Sequence, residues 1–293
     1  MNPQNGLTFL IIDGYPKESR DKLAAAGMRL AWKLYGDMLQ QHLPDARYDV
    51  LLPSDSGQRF PSGAALESYS GILWTGCNLT IYHRADERVT RQITLAKEAY
   101  ARGVPSFGSC WGIQMAAVAA GGEVAAHPKG REMGLGRKIM LTAEGRQHPL
   151  HAGKPWVFDA FVSHDDVVTA LPPGGKLLSG NDFARVQSLA VNHQKGSFWA
   201  TQFHTEYDLY EVACLILARE EKLIRMGFYD SADELAHHVG QLKELFAHPE
   251  KKNLRWRLAV DDDVLEDRIR QCEFVNWLHR LVIPIHRGQA AEV

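Results

Sequence analysis

No stretch of 18 apolar residues occurs anywhere in the chain, and the N-terminal apolar run Phe9–Ile12 is too short, and too free of preceding positive charge, for a secretory leader. A cytoplasmic protein that does not enter the membrane is expected. Cysteine is scarce. Cys77, Cys110, Cys214 and Cys272 lie far apart without a C-x-x-C pair, which excludes a disulfide framework and fits a reducing compartment. Charge of one sign is also missing: 33 Lys and Arg against 35 Asp and Glu leave −2, so bulk charge does not mark a nucleic-acid binder, which needs a basic face to neutralise phosphates. Internal repeats and low-complexity tracts are absent. What remains is a chain of 293 residues, 45% hydrophobic and 23% charged, the proportions of a folded protein with a sizeable core.

The hydrophobic pattern alternates strand and helix. Leu7–Ile12 is a continuous apolar run that suits a strand buried on both faces, and a helix is expected over Ala24–Leu43, ended by Pro44. Further strands are expected at Tyr48–Leu52, Gly71–Trp74 and Val104–Phe107, with helices at Val89–Tyr100 and Ile113–Ala120. Between Gly134 and Thr201, short strand-like pieces broken by turn residues should extend the same sheet. Beyond Glu206 the pattern turns helical: Tyr210–Met226, Ser231–Ala247 with Ser231 and Glu234 spaced as a capping box, and Asp261–Val282, with a linker candidate at His248–Asn253. The last segment carries Leu265, Ile269, Cys272, Val275, Leu278 and Val282 at helical spacing. That stripe is either an intramolecular packing face or a contact with a partner or second copy. Lys251, Lys252, Arg255 and Arg257 surround Trp256, either as a solvated loop or as a phosphate or partner site.

Cys110 stands between Gly108 and Gly112 on a strand-to-helix turn, where a strained elbow presents the side chain outward. The helix that follows aims free N–H groups and its positive dipole end at the sulfur, which favours thiolate. A tightly packed structural cysteine is the alternative. His204 and Glu206 close a later strand at i and i+2, so both side chains can face one cleft, with the imidazole as base and the carboxylate as its orienter. His164-Asp165-Asp166 also offers one imidazole and two carboxylates, a weak metal-ligand set without a second histidine at ligand spacing; no metal is expected.

Phe107-Gly108-Ser109-Cys110-Trp111-Gly112-Ile113-Gln114, followed by Gly121-Gly122, and Thr201-Gln202-Phe203-His204-Thr205-Glu206 resemble the nucleophile and His-Glu blocks of class I glutamine amidotransferases. The resemblance is nearest to the glutaminase domain of GMP synthase and its stand-alone relatives. Gly71–Gly76, Lys129–Gly134 and Val162–Val167 follow in family order. It implies an α/β fold, an open mostly parallel, flavodoxin-like sheet flanked by helices, over residues 1–209, and the helical pattern beyond makes 210–293 a C-terminal helical extension.

By the resemblance, Cys110 attacks the glutamine side-chain amide, His204 protonates ammonia, and water cleaves a γ-glutamyl thioester without any cofactor. It places the oxyanion donors at Gly76, Cys77 and Trp111, and substrate contacts at Gln114, His164 and Asp165. The ammonia would go to a separate synthase partner. Two departures stand out: Thr75-Gly76-Cys77 replaces the usual Gly-Gly-Pro, and the ATP-cleaving Ser-Gly-Gly-x-Asp-Ser loop of GMP synthase is missing. A γ-glutamyl hydrolase acting on another γ-glutamyl amide or peptide uses the same triad and is the alternative function. A non-catalytic binding module is a third reading.

Overall fold

The computed structural model describes residues 6–291. In chain order its strands are β1 (Thr8–Ile12), β2 (Arg47–Leu51), β3 (Gly71–Trp74), β4 (Ser106–Ser109), β5 (Glu123–Ala126), β6 (Glu132–Leu141), β7 (Val157–His164), β8 (Asp166–Ala170), β9 (Gly175–Gly180), β10 (Ser188–His193) and β11 (Gly196–Thr201). The helices are α1 (Lys17–Ala25), α2 (Ala31–His42), α3 (Ala64–Glu67), α4 (Glu87–Arg102), α5 (Trp111–Ala119), α6 (Leu209–Ala218), α7 (Glu220–Arg225), α8 (Ala232–Ala247), α9 (Lys252–Leu258), α10 (Asp262–Leu265), α11 (Asp267–Arg270), α12 (Cys272–Trp277) and α13 (Ile283–His286). None is long and apolar enough to cross a membrane.

Nine strands form one mixed sheet in the order β2-β1-β3-β4-β11-β10-β9-β6-β7. The half from β2 to β11 is parallel, and helices connect β1 to β2, β2 to β3 and β3 to β4. From β11 onward the pairing is antiparallel, and β6 and β9 meet across the intervening β7 and β8 segments. The pieces after Gly134 extend the sheet as expected, except β8, which pairs with β5 in a separate two-stranded sheet. Because β1, β3, β4 and β11 run in parallel, their C-terminal ends open on one edge, the ordinary place for a ligand in such sheets.

Three helices expected to be continuous are broken. Ala24–Leu43 is interrupted after α1, where Gly27 adopts left-handed backbone (φ +88°) and Met28 N–H returns to the Leu23 carbonyl at 3.0 Å, a glycine helix stop. Arg29 then turns its guanidinium to Glu211, 2.7 Å away, and α2 begins at Ala31. The helix read over Tyr210–Met226 is likewise divided, at Arg219 (φ −117°, ψ 17°), between α6 and α7.

Asp261–Val282 becomes α10, α11, α12 and a π turn over Leu278–Val282. That wider turn carries the chain through Pro284 into α13, so the proline does not end the helical path. The buried face is Phe274, Trp277, Leu278, Leu281 and Val282, whereas Leu265, Ile269, Cys272 and Val275 are only half-buried. One reason is polar: the Glu273 carboxylate is buried against Lys154 and His151, at 3.1 and 3.2 Å, and sets which side faces inward. Ser231 does cap α8 through the Glu234 N–H, but the Glu234 carboxylate answers to Asp230 N–H instead of Ser231's own.

These C-terminal helices belong to the main core. Trp277 packs against Phe9 of β1 and Phe107 of β4, with ring centroids 6.0 and 5.8 Å apart, and Phe274 against Tyr35 of α2. α6 and α8 share a second apolar cluster with α1 and α2. In the basic stretch near Trp256, Lys251 pairs with Glu244, and Arg255 with Asp261 and Asp262. These partners hold two of its four cations on the surface.

Candidate active site

β4 ends at Ser109 and α5 starts at Trp111, leaving Cys110 alone at the turn with φ 53° and ψ −90°. A side chain pays roughly 1–2 kcal/mol for such backbone. The elbow is held by the Cys110 N–H, which donates to the Thr201 carbonyl of β11 at 2.8 Å. Gly108 makes the bend sterically feasible: a Cβ there would stand 2.7 Å from the Trp74 carbonyl oxygen and 2.9 Å from Gly112 Cα, both backbone atoms that cannot swing away. Gly108→Ala is therefore expected to destabilise the fold by about 2 kcal/mol and to displace the elbow, read as a lowered denaturant midpoint at unchanged m-value.

His204 and Glu206 leave the C-terminal end of β11, beside β4. His204 N–H donates to the Phe161 carbonyl at 2.8 Å, fixing the segment against β7. Its ring Nδ1 donates to Glu206 Oε1 at 2.7 Å. The same oxygen receives the Ser109 hydroxyl at 2.9 Å, and Ser109 Oγ in turn receives the Tyr35 hydroxyl at 2.9 Å. Tyr207 stacks flat on the imidazole, centroids 3.9 Å apart and planes 5° apart. Burial works against a charged His204, but the Glu206 carboxylate and hydrogen bonding with Cys110 outweigh it and hold the imidazole up at about 9. Imidazole and carboxylate are thus hydrogen-bonded to each other, with Cys110 near enough to help raise the imidazole. Such a set can move a proton between a thiol and a leaving group.

Of the remaining residues singled out in the sequence, Cys77, Gln114, His164 and Asp165 border a cleft of about 760 Å³ with Cys110 on its wall, whereas Gly76 and Trp111 do not line it. A Cβ on Gly76 would lie 3.0 Å from His204 Cε1 and 3.9 Å from Cys110 Cβ, so the β3 loop abuts the nucleophile. Cys77 borders the same cleft, its sulfur accepting the Leu79 N–H, and burial pushes its thiol up. Trp111 turns its indole away, donating to Gln92 at 2.9 Å, so only its backbone at the start of α5 adjoins the site. Gln114 is buried in the wall, with Oε1 unpartnered among the described residues. His164 is buried in the wall with Nε2 on Glu132 at 2.8 Å and Nδ1 3.1 Å from the Asp166 carbonyl. Asp165 takes Arg131 at 2.5 Å and Lys222 at 3.0 Å; burial would raise its carboxyl, and these cations hold it below the usual range. Among the described residues no group of three or more His, Cys, Asp or Glu is placed to hold a metal ion.

Sequence reasoning missed Ser109, Tyr35 and Tyr207, which support the imidazole and carboxylate, and Ser163, Arg131 and Arg219 on the opposite wall. Ser109 carried a signal in its place beside Cys110. Arg131 and Ser163 stand inside the Lys129–Gly134 and Val162–Val167 blocks, where no role was read for them, and Tyr35, Tyr207 and Arg219 lie outside any block.

Residues 66–220 match the family described as glutamine amidotransferase class-I. The chain belongs to that family. It is 33% identical to the gamma-glutamyl-L-1-hydroxyisopropylamide hydrolase of a Pseudomonas species, over 95% of this chain and 94% of that protein. It is 30% identical to the GMP synthase (glutamine-hydrolyzing) of Thermomicrobium roseum over 59% of this chain, but spans only 29% of that longer protein. Among solved structures, a glutamine amidotransferase from Thermotoga maritima superposes with a TM-score of 0.64 at 18% identity, covering 95% of this chain and 99% of that one. These structural likenesses establish the fold.

Proposed function

We propose that this protein hydrolyses a γ-glutamyl amide of a small amine. The observation that carries the reading is the extent of the sequence relationship. The similarity to the γ-glutamyl amide hydrolase runs through the C-terminal helices, whereas the GMP synthase similarity covers 59% of this chain. Those helices supply Arg219, Lys222 and Arg225 to the cleft, and a volume of about 760 Å³ leaves room beside a γ-glutamyl group for a substituted amine.

In this reading Cys110 Sγ attacks the γ-carbonyl beside the His204 imidazolium, which already carries the proton that it will deliver. The tetrahedral oxyanion faces the backbone at the start of α5 and the Gly76-Cys77 loop. Its collapse breaks the C–N bond, and His204 delivers the proton to the departing nitrogen. Water, deprotonated by the same imidazole, then opens the thioester to glutamate and free thiol. Gln114, His164 and Asp165 are assigned to the substrate side of the cleft. Glutamine hydrolysis with ammonia transfer to a synthase is the second reading, favoured by the GMP synthase-like blocks.

Release of glutamate from γ-glutamyl amides of small alkyl and hydroxyalkyl amines, from γ-glutamyl peptides and from glutamine separates the two. The expected result is a kcat/KM for the substituted amides about tenfold or more above that for glutamine, the scale that filling a pocket with one or two further carbons supports. Turnover of glutamine with none of the substituted amides would overturn it.

A further inference from the structure

Opposite Cys110 the cleft has an uneven charge distribution. Arg131, whose side chain is 4% exposed, gives Nη2 to the Ser163 hydroxyl at 2.8 Å, and Arg219 gives Nη1 to that same hydroxyl. Two guanidinium groups thus converge on one neutral oxygen. The one carboxylate paired with them, Asp165, is already shared between Arg131 and Lys222. Among the described residues Arg219 makes no ion pair, and Arg131 Nε is buried without a partner. Like-charge crowding of this kind is unfavourable unless an anion joins it.

The position is also fixed relative to the chemistry. The Ser163 carbonyl is 3.8 Å from Cys110 Sγ, so the hydroxyl that both arginines hold belongs to the residue facing the sulfur. In an extended γ-glutamyl group, four carbon–carbon bonds separate the scissile carbonyl carbon from the α-carboxylate carbon, a reach of roughly 5 Å from standard bond lengths. Cys110, Ser163, Arg131 and Arg219 border one cleft, so an anion on the guanidinium groups and a carbonyl at the sulfur share one ligand-sized space.

We propose that Arg219, together with Arg131, binds the α-carboxylate of the γ-glutamyl unit, so that the break between α6 and α7 supplies a specificity-determining residue. The proposal rests on the γ-glutamyl reading for its substrate but is tested without turnover. The guanidinium fork suits a carboxylate bidentately, which an ammonium does not. The α-carboxylate would give Arg219 the anionic partner that Asp165 gives to Arg131 and Lys222.

The test is calorimetric titration of the full-length Cys110→Ala protein with three ligands: L-glutamine, its α-carboxamide, and γ-glutamylglycine with the α-carboxylate, but not the glycine carboxylate, amidated. The expected result is that glutamine binds about 10- to 100-fold more tightly than either α-amidated ligand, the scale of a charge-assisted contact. Adding Arg219→Ala should abolish that preference, and Arg219→Lys should restore part of it. Equal affinity for glutamine and its α-carboxamide overturns the proposal without any Arg219 variant, so misfolding of Arg219→Ala cannot shelter it. Tight, Arg219-dependent binding of the α-amidated γ-glutamylglycine overturns it too, by assigning the arginines to a carboxylate on the leaving amine. Failure of the hydrolytic reading shows separately, as absence of glutamate release by the unmodified enzyme.

Discussion

Cys110→Ala is expected to lower γ-glutamyl amide hydrolysis by on the order of 10⁴- to 10⁶-fold while leaving the fold intact. The magnitude follows from removing the nucleophile of a set that acts as a unit: His204 and Glu206 then have no thiol to activate, and only binding and oxyanion contacts persist. The fold survives because one sulfur beside a cleft leaves little unfilled volume. Backbone strain offers an internal control. Alanine keeps a Cβ at φ 53°, whereas Cys110→Gly releases that strain, so the glycine variant should melt no lower than the alanine variant although both are inactive. Alkylation gives a second readout. Burial raises the thiols of Cys77, Cys214 and Cys272, the last to about 12. Iodoacetamide at neutral pH should therefore label the intact protein quickly at one site and Cys110→Ala at none. Comparable labelling at all four cysteines would refute the assignment of the nucleophile.

Glu206→Gln should reduce kcat by about 10²- to 10⁴-fold with a smaller change in KM. The amide keeps the shape of the side chain, but its neutral oxygen no longer stabilises the imidazolium that forms when Cys110 gives up its proton, nor fixes the ring tautomer as firmly. The largest contribution acting on His204 is burial, which disfavours its charged form; with the carboxylate gone that effect is less opposed, and the imidazole should fall from about 9. Imidazole titration by NMR should show this as a downward shift of the His204 midpoint. Unchanged titration would mean that Glu206 is not the partner that sets it.

Stability carries the same signature. His204 is raised in the folded protein relative to its ordinary value of 6.5, so the folded state holds a proton that the unfolded state releases. Its contribution, on the order of 3 kcal/mol, is fully present below about pH 6.5 and is lost as pH rises through about 9. The stability difference between the unmodified protein and Glu206→Gln should shrink across that interval. A difference that stayed constant, or grew with pH, would contradict the ion pair.

The elbow was readable because its chemistry is local. Gly108 and Gly112 flanking a cysteine between an apolar strand and an apolar helix can do little else than bend there, and the close approach of Gly108 to Trp74 bears this out. His204 and Glu206 were readable together because alternate residues of an extended segment face one way, and the structure pairs them at 2.7 Å. The parallel half of the sheet followed from continuous apolar runs separated by helical spacing.

Other features depend on contacts between segments far apart in the chain. Arg29 meets Glu211 across 182 positions and Glu273 meets Lys154 across 119, and both pairings lie beside helices that periodicity alone would draw unbroken. Tyr35 reaches Glu206 only through Ser109, and Arg131 and Arg219 share Ser163 only because β6, β7 and the α6–α7 junction converge. By itself, then, the sequence determined the sheet's alternation, the strained cysteine and the family to which the chain belongs, since each is encoded within a few neighbouring residues. Only the tertiary structure decided where the C-terminal helices break and which distant side chains support the imidazole or charge the opposite wall. Burial and electrostatic pairing depend on what lies nearby in space, and hydrophobic period along one segment carries no record of it.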